Sequence, residues 1–361
     1  MSGRVLVRLV AAFALVALLV APLPAQAQVQ QPKPPVRGLI SMGAYKFVGE
    51  GGQPKNTLKY IRQYPGIFGG IVIVASWQQL QPAPFGEIKD DNVIDRMLTQ
   101  IRLYNENHKE RPLAVKLRVW GGFMAPHWAK SIGGKPIGIM RKGKLRTIGR
   151  FWSQDYRRAF AGLQVLLARK YDSEPLISEV AITQCMSFTS EPFFVPAKEH
   201  DYIVPRLKTF GFTNEQYKDC LMQALVDYSP WHNTRVVYAF NPYKTAMHEP
   251  PDLAFTERVM HDCRQMFRDN CVLDNHDLTN PPLPDIVPLY ERMKKMGGPI
   301  EFQTYTPTPK DFPGTIELGI FNGAHGIELY QDYPGFTKLP AETLRVWARW
   351  LDEKRERDEG K

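Results

Sequence analysis

Cysteine is scarce in this chain. The four present in 361 residues, Cys185, Cys220, Cys263 and Cys271, are too few for a disulfide framework, and their spacing matches no zinc-ligand pattern. Cys263 falls late in a predicted helix and Cys271 opens the next predicted strand, so the two can meet across that turn; free buried thiols are the equal alternative. Long apolar runs are missing beyond the N-terminal segment, which leaves no stable membrane span once that segment is removed. No Gly-rich phosphate loop follows the first predicted strand, and this counts against an open dinucleotide-binding sheet. No internal repeat is evident. No nucleic-acid-binding motif occurs, so nucleic acid is not an expected partner.

What is present begins with an export signal. Arg4 and Arg8 precede an apolar stretch from Leu9 to Val20, Pro22 and Pro24 break it, and Ala25-Gln26-Ala27 supplies a small-residue cleavage site. That order is the order of a signal peptide, and the stretch falls short of the ~20 apolar residues that span a bilayer. Residues 1–27 are therefore expected to be removed and the mature protein to be secreted or periplasmic. Residues 28–36, rich in Gln and Pro, read as a tether. The formal charge is +9, with 43% hydrophobic and 23% charged residues, an ordinary globular balance. Basic residues are scattered apart from Arg141-Lys142-Gly143-Lys144-Leu145-Arg146, a run that either meets an anionic polymer or membrane surface or forms a solvated loop.

From residue 37 to 352, short apolar runs alternate with amphipathic segments. The runs are Gly38 to Phe47, Gly69 to Trp77, Leu113 to Trp120, Ile177 to Cys185, Thr234 to Asn241, Asn270 to His276, Pro299 to Tyr305 and Gly323 to Tyr330. Between them, Asn92 to Asn105 carries Val93, Ile94, Met97 and Ile101 at helical spacing, and Asp155 to Tyr171 and Glu215 to Tyr228 behave alike. Strands alternating with helices in this way predict an α/β fold, a single-domain (β/α)₈ TIM barrel, followed by a charged tail over 353–361.

Chemistry in such a barrel belongs to the C-terminal ends of the strands. The predicted ends carry Trp77, Trp120, Glu191, Asn241, His276, Tyr305 and Tyr330, ring-stacking and hydrogen-bonding side chains that suit a sugar. Period-two alternation turns Val115, Leu117 and Val119 toward the helices and Lys116, Arg118 and Trp120 inward. It likewise turns Glu301, Gln303 and Tyr305 inward, with Glu328 and Tyr330. Cations and carboxylates gathered in one lumen must pair or protonate. An internal ion-pair network is the favoured reading of Glu301, and Glu328 is equally open to a catalytic one. Glu191 precedes Pro192 and is flanked by Phe188 and Phe193; an apolar wall raises a carboxyl's pKa, as a general acid requires.

Several short motifs then fall in a telling order: Trp77-x-x-Leu80-x-Pro82 after the second strand, Arg118-x-Trp120 in the third, Ala125-Pro126-x-Trp128 beyond it and Glu191-Pro192 after the fourth. Together they resemble the retaining glycoside hydrolases of the large (β/α)₈ clan. The resemblance implies cleavage of a glycosidic bond in an oligo- or polysaccharide, with Glu191 as the acid/base residue. Two departures stand out. Ser190 occupies the place of the family's Asn, and Gln303-Thr304 occupies the place of its nucleophilic Glu at the end of strand seven. A glutamine cannot form the covalent intermediate, so the second carboxylate falls to Glu328, Glu301 or Asp274, with Glu328 the expected nucleophile or base. Trp77, Arg118, Trp120, Trp128, Asn241, Tyr243, Asp274, His276, Gln303, Tyr305 and Tyr330 are the expected carbohydrate-binding residues. Neither a metal nor another cofactor is expected, since strand one reads Ser41-Met42-Gly43-Ala44-Tyr45 where barrel metallohydrolases carry His-x-His. The alternative is a catalytically inactive barrel that binds glycan at the cell surface.

Overall fold

Helices start where a side chain can satisfy the first free backbone N–H groups. Asn92 caps the helix Val93–Glu106 reciprocally with Asp95, Thr213 and Gln216 do the same for Asn214–Asp227, and the Ser153 hydroxyl accepts from the Tyr156 amide ahead of Gln154–Tyr171. The computed structural model that shows this describes residues 32–42, 44–48, 53–55, 57–141, 143–186, 191–193, 200–244, 249–331 and 335–358. The expected signal peptide, the first residues of the expected tether, Phe188 and Ser190 lie outside the described residues.

Eight strands close into one all-parallel barrel: Gly38–Met42, Phe68–Ser76, Ala114–Trp120, Ile177–Ala181, Arg235–Ala239, Cys271–Leu278, Ile300–Thr304 and Gly326–Tyr330. Each hydrogen-bonds to its neighbours in chain order, and the eighth pairs back onto the first with Gly326 opposite Gly38. Outer helices follow in turn, including Leu253–Phe267, Val287–Met296 and Phe312–Phe321. This is the expected (β/α)₈ barrel. Three local expectations differ. The first apolar run ends as a barrel strand at Met42, and Ala44–Val48 pairs antiparallel with Gln53–Lys55 instead. The return from it passes through a single 3₁₀ turn, Ile61–Gln63. Residues 353–358 continue the last helix, Ala341–Asp358, rather than forming a separate tail.

The bottom of the barrel is closed by residues assigned to the tether. Lys33 donates to the carbonyls of Glu174 and Ile177 at 2.7 and 2.8 Å and to Thr234 Oγ1 at 2.9 Å, and the Val36 amide donates to Glu179 Oε1 at 2.8 Å. These bonds add a second donor to carbonyls that already accept from the Ile177 amide and from Thr234 Oγ1. Val36 then begins an apolar column up one side of the lumen, continued by Ile40, Val72, Val74, Trp120, Met124 and Met186. Gly70 makes room for it: a Cβ there would meet Val36 Cγ1 at 2.1 Å. One side of the lumen is therefore apolar, and the charged groups occupy the other.

Candidate active site

The third strand delivers two cations, because Val115, Leu117 and Val119 pack outward into the main core and leave Lys116 and Arg118 to face in. Lys116 Nζ contacts the Glu301 carboxylate and lies 2.7 Å from Glu328 Oε1 and 3.5 Å from Asp274 Oδ2. Arg118 Nη2 donates to both Glu328 oxygens at 2.8 and 3.0 Å, and Nη1 reaches Gln303 Oε1 at 3.5 Å. Gln303 Nε2 donates in turn to the Tyr330 hydroxyl at 3.3 Å. All these side chains except that of Tyr330 are buried.

Burial opposes every one of these charges, and the pairing decides which survive. Glu301, Glu328 and Asp274 outweigh the burial of Lys116 and hold it well above the usual lysine range. Arg118 and Lys116 hold Glu328 below the usual carboxylate range, and Lys116, His276 and Arg118 do the same for Asp274. Glu301 moves the other way, raised by burial and by the Glu179 carboxylate beside it. Burial also raises Glu179, to about 7. Burial and their mutual repulsion thus drive both carboxyls of the floor pair toward the protonated form.

The sixth strand shapes the mouth. Between Asn275 and Leu278 its register with strand seven slips, three residue steps facing the two from Phe302 to Thr304. Asn275 and Leu278 both point outward: Asn275 Nδ2 donates to the Phe240 carbonyl at 2.6 Å, and Leu278 lies in the main core. The bulge inserts His276 and Asp277 between these two outward-facing residues, and the His276 ring turns into the lumen. His276 Nδ1 lies 2.9 Å from Glu191 Oε1 and Nε2 lies 3.0 Å from Asp274 Oδ2. Burial disfavours the charged ring, but the charges of and bonds to Asp274 and Glu191 outweigh it and raise His276 to about 9. The ring is an imidazolium donating from both nitrogens. Asp277 is only 7% exposed; burial, and then the negative charge of Glu191, raise it to about 7. The two acids thus differ in setting: Asp277 is buried, whereas Glu191 is held by the His276 ring.

Two clusters have the composition of a metal site, Asp274–His276–Glu328 and Glu179–Glu301–His325. In both, the ring nitrogens are already engaged. Those of His276 meet Glu191 and Asp274 at 2.9 and 3.0 Å. His325 Nδ1 accepts from the Ile300 amide at 2.9 Å, which puts the remaining ring proton on Nε2, the atom that faces Glu301. Burial, together with Arg37 and Lys116, lowers His325 to about 3, so it stays neutral.

The fold brings together Glu191, His276, Asp274, Arg118, Glu328, Gln303 and Tyr330, with Trp120 on the apolar side of the lumen. Asn241, two residues past the end of the fifth strand, is fully buried, with its Nδ2 unpartnered among the described residues. Tyr305 is 45% exposed on the rim. Three expected sugar contacts lie elsewhere. Trp77 is fully buried among Trp128, Tyr156 and Phe160, with ring centroids 5.3–5.5 Å away. Trp128 donates from Nε1 to the Gln81 carbonyl at 3.3 Å. Tyr243 packs between Tyr217 and Phe255. These rings gain more from filling the space outside the barrel than from reaching its mouth. Glu328, expected as nucleophile or base, sits fully buried with both oxygens bound by Arg118, the setting of a structural ion pair. Asp277 is not among the residues expected from the sequence, because a bulge has no sequence signature of its own.

No protein-family model and no curated protein matches the sequence. Solved structures do. The chain is similar to the catalytic domain of beta-amylase from Paenibacillus polymyxa, at 11% identity over 88% of this chain and 98% of that one, with a TM-score of 0.51. It is also similar to an endo-beta-1,4-glucanase from Xanthomonas axonopodis pv. citri, at 12% identity over 87% of this chain and 99% of that one, with a TM-score of 0.53. The fold is a (β/α)₈ barrel, as in these two enzymes. Identity this low carries the fold alone, and the site must speak for the chemistry.

Proposed function

We propose that this chain is an exported glycoside hydrolase that cleaves an oligo- or polysaccharide with a pair of carboxyl groups, Asp277 and Glu191. The carrying observation is geometric: His276 Nδ1 lies 2.9 Å from Glu191 Oε1, and Asp277 follows His276 in the bulge of strand six. A carboxyl whose ionisation burial opposes suits the acid role, and a second carboxyl oriented by a neighbouring ring suits the nucleophile or base. Asp277, protonated near neutral pH, donates to the glycosidic oxygen. Glu191, oriented by the His276 imidazolium, acts on the other side of the reacting carbon, as nucleophile or as base for water. Glu328 keeps Arg118 and Lys116 in place and takes no part in bond cleavage. Asn241, Gln303 and Tyr330 supply hydroxyl contacts, and Trp120 offers an apolar face. Export rests on the signal-like residues 1–27.

The test is turnover of a panel of oligo- and polysaccharides by the mature protein, Glu191→Gln and Asp277→Asn. Each substitution should lower turnover at least about 10³-fold while leaving glycan binding in place. Full activity in either variant removes that residue from the mechanism. Gln303, standing where the resembling enzymes carry their nucleophile, favours a second reading, a barrel that binds glycan without cleaving it. Saturable binding with no turnover across the panel selects that reading.

A further inference from the structure

The loop after the third barrel strand carries a hairpin, Ile137–Arg141 paired with Lys144–Ile148. Its register sets Ile137 opposite Ile148 and Ile139 opposite Arg146. Paired residues share a face of the ribbon, as do alternate ones along a strand. The three isoleucines are fully buried, so Arg146 belongs to the face turned toward the barrel. Its guanidinium lies 5.7 Å from the centroid of the Phe123 ring. Phe123 packs on the lumen cluster of Trp120, Met124 and Met186 and meets Trp120 edge-on at 6.1 Å. Arg146 therefore caps the aromatic wall of the lumen.

Lys130 reaches the same place. It is 9% exposed, and Nζ donates to the Phe123 carbonyl at 2.7 Å. Burial, and then the charge of Arg146, lower it to about 8, with no carboxylate acting the other way. Among the described residues neither cation makes an ion pair. A solvated basic loop would leave both in water. Here the fold holds one of two like charges in a buried position against a single aromatic residue, which is unfavourable unless an anion completes the arrangement.

We infer that the mouth takes an acidic glycan, with a sugar seated on Phe123 and Trp120 and its carboxylate or sulfate between Lys130 and Arg146. The formal charge, +9 for the full chain and +7 without Arg4 and Arg8 of residues 1–27, steers a polyanion to the same protein. The glycan part rests on the reading of the barrel as a glycoside hydrolase; the charge part does not, because it can be measured as binding alone.

The experiment measures binding of polygalacturonate, dextran sulfate and neutral dextran to the mature chain carrying Glu191→Gln, so that cleavage plays no part. The expected result is that at least one acidic polymer binds about tenfold or more tighter than neutral dextran, with affinity falling as salt rises. Which acidic polymer binds tighter assigns the anionic group as carboxylate or sulfate. Arg146→Gln should narrow the gap between acidic and neutral polymers by about tenfold, and Lys130→Met should narrow it further. Arg146 is half-buried on a hairpin, and its variant carries the test should the Lys130 variant fail to fold. Neutral dextran binding as tightly as both acidic polymers, or an unchanged gap in a folded Arg146→Gln, overturns the inference. Failure of hydrolysis in the wild-type chain with acidic-polymer binding intact overturns only the hydrolase reading.

Discussion

His276 joins Glu191 to the barrel interior through one ring, with Glu191 Oε1 2.9 Å from Nδ1 and Asp274 Oδ2 3.0 Å from Nε2. Removing the ring frees the loop carboxylate and leaves Asp274 with Lys116 as its nearest cation, 3.5 Å away. His276→Ala should lower turnover about 10²-fold through lost positioning and lower stability by about 3 kcal/mol. Kinetics and urea unfolding on the same preparation check both. Unchanged turnover in a folded variant would show that Glu191 needs no such anchor.

The same ring gives a pH dependence with a definite sign. The folded state raises His276 from 6.5 to about 9, so it holds a proton that the unfolded chain releases. That stability is complete below about pH 6.5 and is lost as pH rises toward 9, a decline of about 3 kcal/mol. Glu179 and Asp277, raised from 4.5 and 3.8 to about 7, act with the same sign in a lower window, between about pH 4 and 7. Urea midpoints taken at pH 6, 7.5 and 9 should fall in that order. A midpoint that holds steady from pH 6.5 to 9 contradicts an ionised His276.

Lys116 and Glu301 touch, yet their replacement should cost different amounts. Lys116→Met strips Glu328 of one of its two cations and Asp274 of another, and should destabilise by about 3–5 kcal/mol. Glu301→Gln removes a carboxyl that is already driven toward its neutral form by burial and by Glu179, and should cost less than about half of that. Equal losses in urea unfolding would mean that Glu301 is charged in the folded protein.

All four cysteines are bridged, Cys185 to Cys220 and Cys263 to Cys271, with sequence separations of 35 and 8. Chain entropy assigns the longer loop about 4 kcal/mol and the shorter about 2.5 kcal/mol. The first bridge also pins the loop that leads from strand four to Glu191. Cys185→Ala/Cys220→Ala should therefore lose both stability and turnover, and Cys263→Ala/Cys271→Ala stability alone. Melting temperatures and initial rates of the two double variants separate these effects.

Much of the barrel was legible because its signals are local. Alternation in Lys116-Leu117-Arg118-Val119 is enough to say which side chains enter the lumen, and the caps at Asn92 and Thr213 mark helix starts within one residue. Trp77, Trp128 and Tyr243 were read as sugar contacts because a large aromatic near a strand end fits the mouth and the outer core equally well, and only the surrounding packing separates the two. The docking of Lys33 and Val36 under the barrel was hidden for a related reason: its partners, from Glu174 to Thr234, lie far along the chain.

By itself, then, the sequence determined the order of strands and helices, the inward rows of each strand and the placing of Glu191 just past the fourth. Tertiary structure alone decided which charges meet: Lys116 finds its acids 185 and 212 positions away, and the His276 ring bridges Asp274 and Glu191 where strand six carries one residue more than strand seven. Periodicity is a property of neighbouring residues. Partnership across a lumen depends on barrel closure and register, which no short stretch of chain encodes.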